Sequence, residues 1–216
     1  MPAFELVIFD FDGTLADSGD WMLRTFAEVA PRYGLRPFTA EDAERLRGRS
    51  TREIVQYLDA PLWRIPQIVA EMRRRATADA GHITLFDGVD TLLRTLDERG
   101  LRLAIVSSNT EANVRRILGP VNAARIDVYD CEASMFGKAS KLRAVMRRTG
   151  VSAAATLCIG DETRDIEAAQ AVGAASGAVT WGYATAGILA TFAPTLTFQT
   201  PADIITAAAP AAPPGV

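Results

Sequence analysis

Hydrophobic residues follow two different patterns along this chain, and the change lies near residue 86. From there onward, short apolar runs alternate with amphipathic stretches that end at glycine, which predicts strands alternating with helices. Between residues 16 and 84 the apolar positions show no strand-like alternation and recur at helical spacing. One short apolar run, residues 6–9, precedes this segment. The pattern predicts a strand, a helical insertion and then a regular strand–helix repeat.

The predicted elements of the insertion are four helices, at 21–33, 40–46, 50–58 and 61–78. The second part of the chain alternates between predicted strands at 101–106, 126–129, 155–159, 177–180 and 196–198 and predicted helices at 89–99, 111–118, 140–149 and 165–172. Repeated strand–helix–strand units require right-handed crossovers and a parallel sheet with helices on both faces. The predicted fold class is therefore α/β, a doubly wound parallel sheet with an inserted helical cap subdomain.

This pattern divides the 216 residues into three parts. Residues 1–15 and 86–206 form the predicted α/β core, and residues 16–85, called the cap segment below, form the helical cap. Residues 207–216 are rich in alanine and proline, a composition that predicts a flexible tail. With 49% hydrophobic residues, the chain can bury a sizeable core.

Composition and charge exclude several classes of function. A net charge of −3 gives no electrostatic footprint for nucleic acid. No apolar run is long enough to span a bilayer, so we expect a cytoplasmic protein with no membrane partner, as a monomer or homodimer. The two cysteines, Cys131 and Cys158, have no CxxC spacing, so neither a zinc site nor a disulfide framework is expected.

An acidic pair, Asp10 and Asp12, follows the first apolar run and precedes Gly13. Such a pair also occurs in solvated turns, where glycine provides a positive φ angle. Carboxylates that follow buried residues, however, repel each other unless a cation or a shared proton neutralises them. Because open α/β sheets bind their ligands at the carboxyl ends of the strands, the pair predicts a functional site there.

Polar residues also follow three later strands, whose ends a parallel topology brings to the same edge of the sheet. They are Ser107, Ser108, Asn109, Asp161 and Asp165, with Lys138 in the loop after another strand. Of the 23 lysines and arginines, only Lys138 and Lys141 are lysines, so a compact ammonium group is expected to have a specific use at one of them.

These residue types together suit phosphoryl transfer, which needs a nucleophile, a proton donor, a divalent cation and donors for the phosphoryl oxygens. Asp10 is the candidate nucleophile and Asp12 the candidate acid and base. The predicted Mg²⁺ ligands are Asp10, Asp161 and the backbone carbonyl of Asp12, with Asp165 reaching the ion through water. The phosphoryl oxygens and the rest of the substrate are expected to contact Ser107, Ser108, Asn109 and Lys138.

The same segments resemble the four motifs of the haloacid dehalogenase superfamily. Residues 10–18 (DFDGTLADS) look like motif I, residues 105–109 (IVSSN) like motif II, Lys138 like motif III and residues 159–165 (IGDETRD) like motif IV. The phosphoglycolate phosphatase-like subgroup with a helical C1 cap is the most similar. The resemblance implies a Rossmann-like core and a Mg²⁺-dependent phosphatase that hydrolyses a small phosphorylated metabolite, phosphoglycolate-like or a sugar phosphate, through an aspartyl-phosphate intermediate.

Departures from the family pattern leave alternatives open. The usual Gly-Lys-Pro of motif III is Gly-Lys-Ala here, so Lys141, one helical turn later, competes with Lys138 for the motif III role. The second aspartate, Asp12, argues against a dehalogenase. A phosphosugar mutase of the β-phosphoglucomutase type is the runner-up, but Met22 stands where those enzymes have a cap-hinge histidine. The third hypothesis is a binding protein without catalytic activity.

Two arginines of the cap segment, Arg49 and Arg52, are the candidates for recognising the part of the substrate beyond its phosphate. A guanidinium group binds a carboxylate or a second phosphate through two parallel hydrogen bonds. The alternative is that Arg52 faces solvent on its helix.

Overall fold

The computed structural model describes residues 4–37, 39–132 and 137–208, and its centre is a six-stranded parallel sheet. The strands of the described residues are β1 Leu6–Phe9, β2 Ala16–Asp17, β3 Thr84–Leu85, β4 Arg102–Val106, β5 Val128–Asp130, β6 Thr156–Gly160, β7 Ala175–Val179 and β8 Leu196–Phe198. The sheet order is β5-β4-β1-β6-β7-β8, with every neighbouring pair parallel. The predicted doubly wound α/β class is confirmed.

Both faces of the sheet are buried, as its central strand illustrates. Val7 and Phe9 of β1 point into the larger apolar cluster, whereas Leu6 and Ile8 point into the smaller one on the opposite face. Successive side chains of a strand point to opposite faces, so the sequence of a strand that is buried on both faces is a continuous run of apolar residues. This is why the run before Asp10 carries no alternation.

The cap segment is helical and is joined to the core at a two-stranded ribbon. Its α-helices are α1 Gly19–Val29, α2 Ala40–Leu46, α3 Thr51–Tyr57 and α4 Ile65–Asp79. The ribbon pairs β2 with β3 in antiparallel orientation, so the chain leaves and re-enters the core at adjacent points. Trp21, Ala76 and Ala80 of the cap segment pack in the larger apolar cluster of the core.

The helices that cover the sheet are α5 Val89–Glu98, α6 Glu111–Ala123, α7 Lys138–Thr149, α8 Thr163–Val172, α9 Ala186–Thr191 and α10 Pro201–Ala207. They include the four predicted ones, in the predicted order, and two more near the C-terminal end, α9 and α10, that the pattern does not predict. Within the described residues, no helix is both long and apolar enough to cross a membrane.

Two predictions on element boundaries are wrong. Lys138 is the first residue of α7 rather than a loop residue, because the helix begins directly after Gly137. The predicted tail begins too early: Ala207 ends α10, and Ala208 is buried in the larger apolar cluster. A proline at the first turn and an acidic capping residue, Asp203, favour a helix there, and alanine is the best helix former. Residues 209–216 lie outside the described part of the chain.

Candidate active site

Three neighbouring strands bring the predicted site residues to one edge of the sheet. Asp10 directly follows β1, and its backbone N–H donates a hydrogen bond of 2.8 Å to the carbonyl of Ile159 in β6. Asp161 directly follows β6, and Ser107 directly follows β4, the other neighbour of β1. All three side chains are buried. The parallel register therefore places residues far apart in sequence beside one another.

Asp10, Asp161 and Asp165 form a buried acidic cluster. One carboxylate oxygen of each lies within 4.8 Å of the others. Asp161 is fully buried, and the hydrogen bonds that it accepts come from neutral donors: 2.9 Å from Thr14 Oγ1 to Oδ1, and 2.8 Å from the Tyr183 N–H to Oδ2. The negative charge of this carboxylate is thus left without a cation among the residues that the structure describes.

Lys138 is the lysine that reaches the acidic cluster. Its Nζ lies 3.0 Å from Oδ1 of Asp10 and 2.5 Å from Oδ1 of Asp165. Lys141 points elsewhere, with its Nζ 2.5 Å from Oδ1 of Asp130 and 3.4 Å from the carbonyl oxygen of Cys131. Of the two candidates, Lys138 alone contacts the acidic cluster.

The electrostatics of the cluster suit a divalent cation. Burial raises the pKa of Asp10 to about 6, although Lys138 partly opposes this. Burial, followed by the charges of Glu162, Asp10 and Asp165, raises the pKa of Asp161 well above its ordinary value. Carboxylate oxygens are the hard ligands that Mg²⁺ prefers, and a cation would relieve the repulsion between them. The donor set therefore fits Mg²⁺.

Asp165 differs from the other two acids because it already has a cationic partner. Burial alone would raise its pKa, but Lys138 and Arg164 outweigh burial and lower it. Its second oxygen accepts a hydrogen bond of 3.0 Å from the Glu162 N–H. Arg164 pairs with Glu162 at 2.9 Å, and its buried Nε has no hydrogen-bond partner among the described residues. Asp165 is thus held as an ionised group.

The carboxylate of Asp12 is not part of the acidic cluster, and hydrogen bonds hold both of its oxygens. Ser18 Oγ donates to Oδ1 at 3.0 Å, and Asn109 Nδ2 donates to Oδ2 at 3.2 Å. Burial raises the pKa of Asp12 and these two hydrogen bonds oppose the rise, with a net increase. Asn109, predicted to contact substrate, therefore contacts Asp12 in this structure.

Ser107 and Ser108 form the turn after β4. The Ser107 hydroxyl accepts a hydrogen bond of 3.0 Å from the Asn109 N–H, which leaves its own proton available for a phosphoryl oxygen. The carbonyl of Ser108 accepts a hydrogen bond of 2.6 Å from Nε of Arg73 in α4. A helix of the cap segment is thus fastened to the turn that carries Ser107.

Two glycines allow backbone to pack directly against Asp161. Gly13 has a φ of +80°, and a Cβ on it would lie 2.3 Å from Asp161 Oδ2. A Cβ on Gly182 would lie 2.3 Å from the Asp161 Cβ and 2.4 Å from the Gly13 carbonyl. A side chain at either position cannot be accommodated without moving Asp161.

The arginines predicted to bind substrate are not the ones that reach the core. Arg49 is exposed and pairs with Glu53 at 3.2 Å, and Arg52 is an exposed residue of α3. Arg47, which the sequence analysis did not single out, donates from Nε to the Tyr183 carbonyl at 3.0 Å and from Nη2 to the Gly182 carbonyl at 3.1 Å. The sequence does not single out Tyr183 either, although Tyr183 lies in the loop after β7, just as the predicted site residues lie after other strands.

Comparison with known proteins agrees with this geometry. A model of the family described as haloacid dehalogenase-like hydrolase matches residues 7–179. A phosphoglycolate phosphatase of Synechococcus elongatus is 33% identical over 204 residues, which cover 94% of this chain and 96% of that protein. A phosphoglycolate phosphatase of Xanthomonas campestris pv. campestris is 32% identical over 186 residues, 82% of this chain and 83% of that one.

The fold has close counterparts among solved structures. The crystal structure of a predicted phosphatase from Clostridium acetobutylicum superimposes with a TM-score of 0.80 at 19% identity, covering 95% of this chain and 98% of that one. This likeness concerns the fold alone, whereas the family model and the sequence relatives carry the classification. The chain therefore belongs to the haloacid dehalogenase-like hydrolase family, within which it is a phosphatase.

Proposed function

We propose that this protein is a Mg²⁺-dependent phosphatase that hydrolyses a small phosphomonoester, phosphoglycolate-like or a sugar phosphate, through an aspartyl-phosphate intermediate. The observation that carries the proposal is the Lys138 ammonium group between the carboxylates of Asp10 and Asp165, with Asp161 beside them. A phosphoryl group at this edge of the sheet meets a nucleophile and a fixed positive charge. The two phosphoglycolate phosphatase relatives support the class of substrate.

In the first half of the reaction, a carboxylate oxygen of Asp10 attacks phosphorus. The bond between phosphorus and the leaving-group oxygen breaks, and Asp12 donates its proton to that oxygen. The raised pKa of Asp12 supports this role, because a carboxyl group that keeps its proton more readily stays available as an acid at higher pH. The product of this half is an aspartyl phosphate on Asp10 and a free alcohol.

In the second half, Asp12 acts as a base. Its carboxylate takes a proton from water, the water oxygen attacks phosphorus, and the bond between phosphorus and the Asp10 oxygen breaks. Inorganic phosphate leaves and Asp10 is regenerated as a carboxylate. Ser107, the Ser108 N–H and Lys138 are the groups that hold the phosphoryl oxygens throughout, in a site where donors are shielded from water.

The residues that would hold Mg²⁺ are Asp10, Asp161 and the carbonyl of Asp12, with Asp165 acting through water. The hydrogen bonds of Asp165 to Lys138 and to the Glu162 N–H support an indirect role for this carboxylate. When bound, the ion supplies positive charge to the phosphoryl oxygens and favours the ionised form of its ligands.

Coverage of the site supports a small substrate. Asp10 is 4% exposed, Ser107 1% and Lys138 9%, and Arg73 of the cap segment is fastened to the turn after β4. A substrate has to reach groups that are almost fully buried, which favours a small molecule. A role for Arg49 in holding a substrate carboxylate requires its pair with Glu53 to open. Replacing Arg49 or Arg52 with Gln would then raise KM for phosphoglycolate and leave KM for p-nitrophenyl phosphate unchanged.

The decisive experiment measures phosphate release from a panel of phosphorylated acids, sugars and nucleotides, with Mg²⁺ and with EDTA. The proposal expects release that needs Mg²⁺ and is fastest for a small substrate such as phosphoglycolate. A phosphosugar mutase would instead convert a sugar 1-phosphate to the 6-phosphate without net phosphate release. Activity undiminished by EDTA would contradict the metal requirement. A cytoplasmic location and a monomeric or homodimeric state stay predictions from the sequence.

A further inference from the structure

Tyr183 connects two of the proposed active-site carboxylates. Its backbone N–H donates to Asp161 Oδ2 at 2.8 Å, and its hydroxyl lies 2.6 Å from Ser18 Oγ. Ser18 Oγ in turn donates to Asp12 Oδ1 at 3.0 Å. Since the single hydroxyl proton of Ser18 is given to Asp12, the Tyr183 hydroxyl must donate in the 2.6 Å bond. When Asp12 is ionised, Tyr183 therefore donates a hydrogen bond to Ser18, and Ser18 donates one to Asp12.

This chain of hydroxyl groups fixes one oxygen of the proposed general acid. Asn109 holds the other oxygen at 3.2 Å, so the plane of the Asp12 carboxyl group is set from both sides. Ser18 is fully buried and Tyr183 partly buried. Consecutive hydrogen bonds shielded from water polarise one another, so losing the terminal phenol weakens the bond that reaches Asp12.

Tyr183 is held in place from the cap segment by Arg47. The guanidinium group of Arg47 donates to two successive carbonyls, those of Gly182 and Tyr183, and the carbonyl of Arg47 accepts a hydrogen bond of 2.9 Å from the Thr185 N–H. These three hydrogen bonds link Arg47, the residue directly after α2, to the loop after β7. The position of the Tyr183 side chain therefore depends on where the cap segment lies.

We propose that Tyr183 is a positioning residue for the general acid Asp12, acting through Ser18, and that Arg47 holds Tyr183 in place from the cap segment. Proton donation to the leaving group is then effective when the cap segment lies against the core. The inference rests on the proposed function, in which Asp12 is the acid, and adds roles for Tyr183, Ser18 and Arg47.

The first test uses Tyr183→Phe, which removes the hydroxyl and keeps the ring. Phosphoglycolate releases an alkoxide that needs a proton, whereas p-nitrophenyl phosphate releases a stable phenolate. We expect kcat for phosphoglycolate to fall about tenfold, the effect of one well-placed hydrogen bond, with a much smaller change for p-nitrophenyl phosphate. The matched control is Tyr57→Phe, whose hydroxyl bonds to Asp42 and Arg45 within the cap segment; it should leave both rates unchanged.

The second test uses Arg47→Gln, which removes the guanidinium bonds to the loop. It should lower kcat for phosphoglycolate more than kcat for p-nitrophenyl phosphate, as Tyr183→Phe does. Adding Tyr183→Phe to this variant should change the ratio of the two rates little, because both changes disable the same chain of hydrogen bonds. Arg64→Gln is the control, since Arg64 also donates to a tyrosine carbonyl, that of Tyr33, but within the cap segment.

A readout without catalysis checks that the variants fold and that the hydroxyl contact exists. Urea unfolding of the metal-free Ser18→Ala, Tyr183→Phe and double variants should show that the two changes in unfolding free energy are not additive.

The kinetic results can contradict the proposal in two ways. Equal losses of kcat for both substrates would reduce Tyr183 to a general structural role, and unchanged kinetics in Tyr183→Phe would overturn the proposal. If the wild-type protein hydrolyses neither substrate with Mg²⁺, the proposed function fails first and the assignment to Tyr183 falls with it.

Discussion

The Nζ atom of Lys138 lies 3.0 Å from Oδ1 of Asp10, so the only fixed cation that contacts the proposed nucleophile within the described residues is a lysine from a helix after β5. Lys138 is itself held by Asp165. Burial would lower the pKa of Lys138, but Asp10 and Asp165 outweigh burial and raise it. The lysine therefore stays charged, where it offsets the negative charge of Asp10 and of an approaching phosphate.

Replacing Lys138 with Met should reduce phosphate release by at least about 10²-fold, because a fixed donor to the phosphoryl oxygens is lost. Lys141→Met is the matched control, and it should lose little activity because Lys141 pairs with Asp130. Circular dichroism checks that both variants fold. Severe loss in Lys141→Met with a working Lys138→Met would reverse the assignment of the two lysines.

Replacing Asp10 with Asn should reduce phosphate release by at least about 10³-fold, because the amide is nearly the same size but is a poor nucleophile. The metal-free variant should unfold at the same or a higher urea concentration than the wild type, because burial disfavours the ionised form of Asp10, as its raised pKa shows, and Lys138 keeps its ion pair with Asp165. Both are measured on one preparation. Full activity in this variant would exclude Asp10 as the nucleophile.

The stability of the metal-free protein is expected to depend on pH through the carboxyl group of Asp10. The pKa of Asp10 is about 6 in the folded protein against an ordinary value of 3.8, so between these values the folded state keeps a proton that the unfolded state has lost. The stability of the metal-free protein therefore falls as pH rises through this range, while Asp165, whose pKa is lowered, contributes in the opposite direction.

Because ligands must be ionised to bind a metal, the rise in Tm on adding Mg²⁺ should be larger at about pH 8 than at about pH 5. Differential scanning calorimetry with and without Mg²⁺ at both pH values measures the effect. Asp161→Asn should remove most of it. Equal shifts at the two pH values would contradict the proposed ligands.

Replacing Gly182 with Ala should impair both stability and activity, because the new Cβ would meet Asp161 and the Gly13 carbonyl at distances that no real contact allows. The expected loss of unfolding free energy is about 1 to 3 kcal/mol. Gly187→Ala is the control: a Cβ on Gly187, in α9, meets nothing within 4 Å. It should be as active as the wild type, and a fully active Gly182→Ala would show that Asp161 tolerates displacement.

The sequence predicts the residues that directly follow buried strands far better than the residues that hold them. Asp10, Ser107 and Asp161 are recognisable because an apolar run ends in a polar group, and a parallel sheet brings such ends together. Ser18 and Tyr183 are 165 positions apart, and no local pattern relates them. Their contact depends on how the loop after β7 folds back over the segment that follows β1, where Trp181 Nε1 donates to the Thr14 carbonyl.

The arginines of the cap segment are a second case in which the sequence does not predict a contact between distant residues. Periodicity locates α2 and α3 but does not fix the direction of the turn between them, where Arg47 and Arg49 lie. Two positions along that turn separate an arginine that contacts the core from one that pairs with Glu53 at the surface. The sequence shows several arginines in this turn, but it does not show that Arg47 is the one whose guanidinium group contacts the core.

The short ribbon of β2 and β3 has a consequence for how such proteins diversify. Because Ala16 pairs with Leu85 and Asp17 with Thr84, the two ends of the cap segment are neighbours in space. A segment of different length or sequence, spliced in at this ribbon, would leave the register of β1 with β4 and β6 undisturbed. Recombination at this single junction can exchange the cap segment as a unit, while the edge of the sheet that carries Asp10, Ser107 and Asp161 is inherited unchanged.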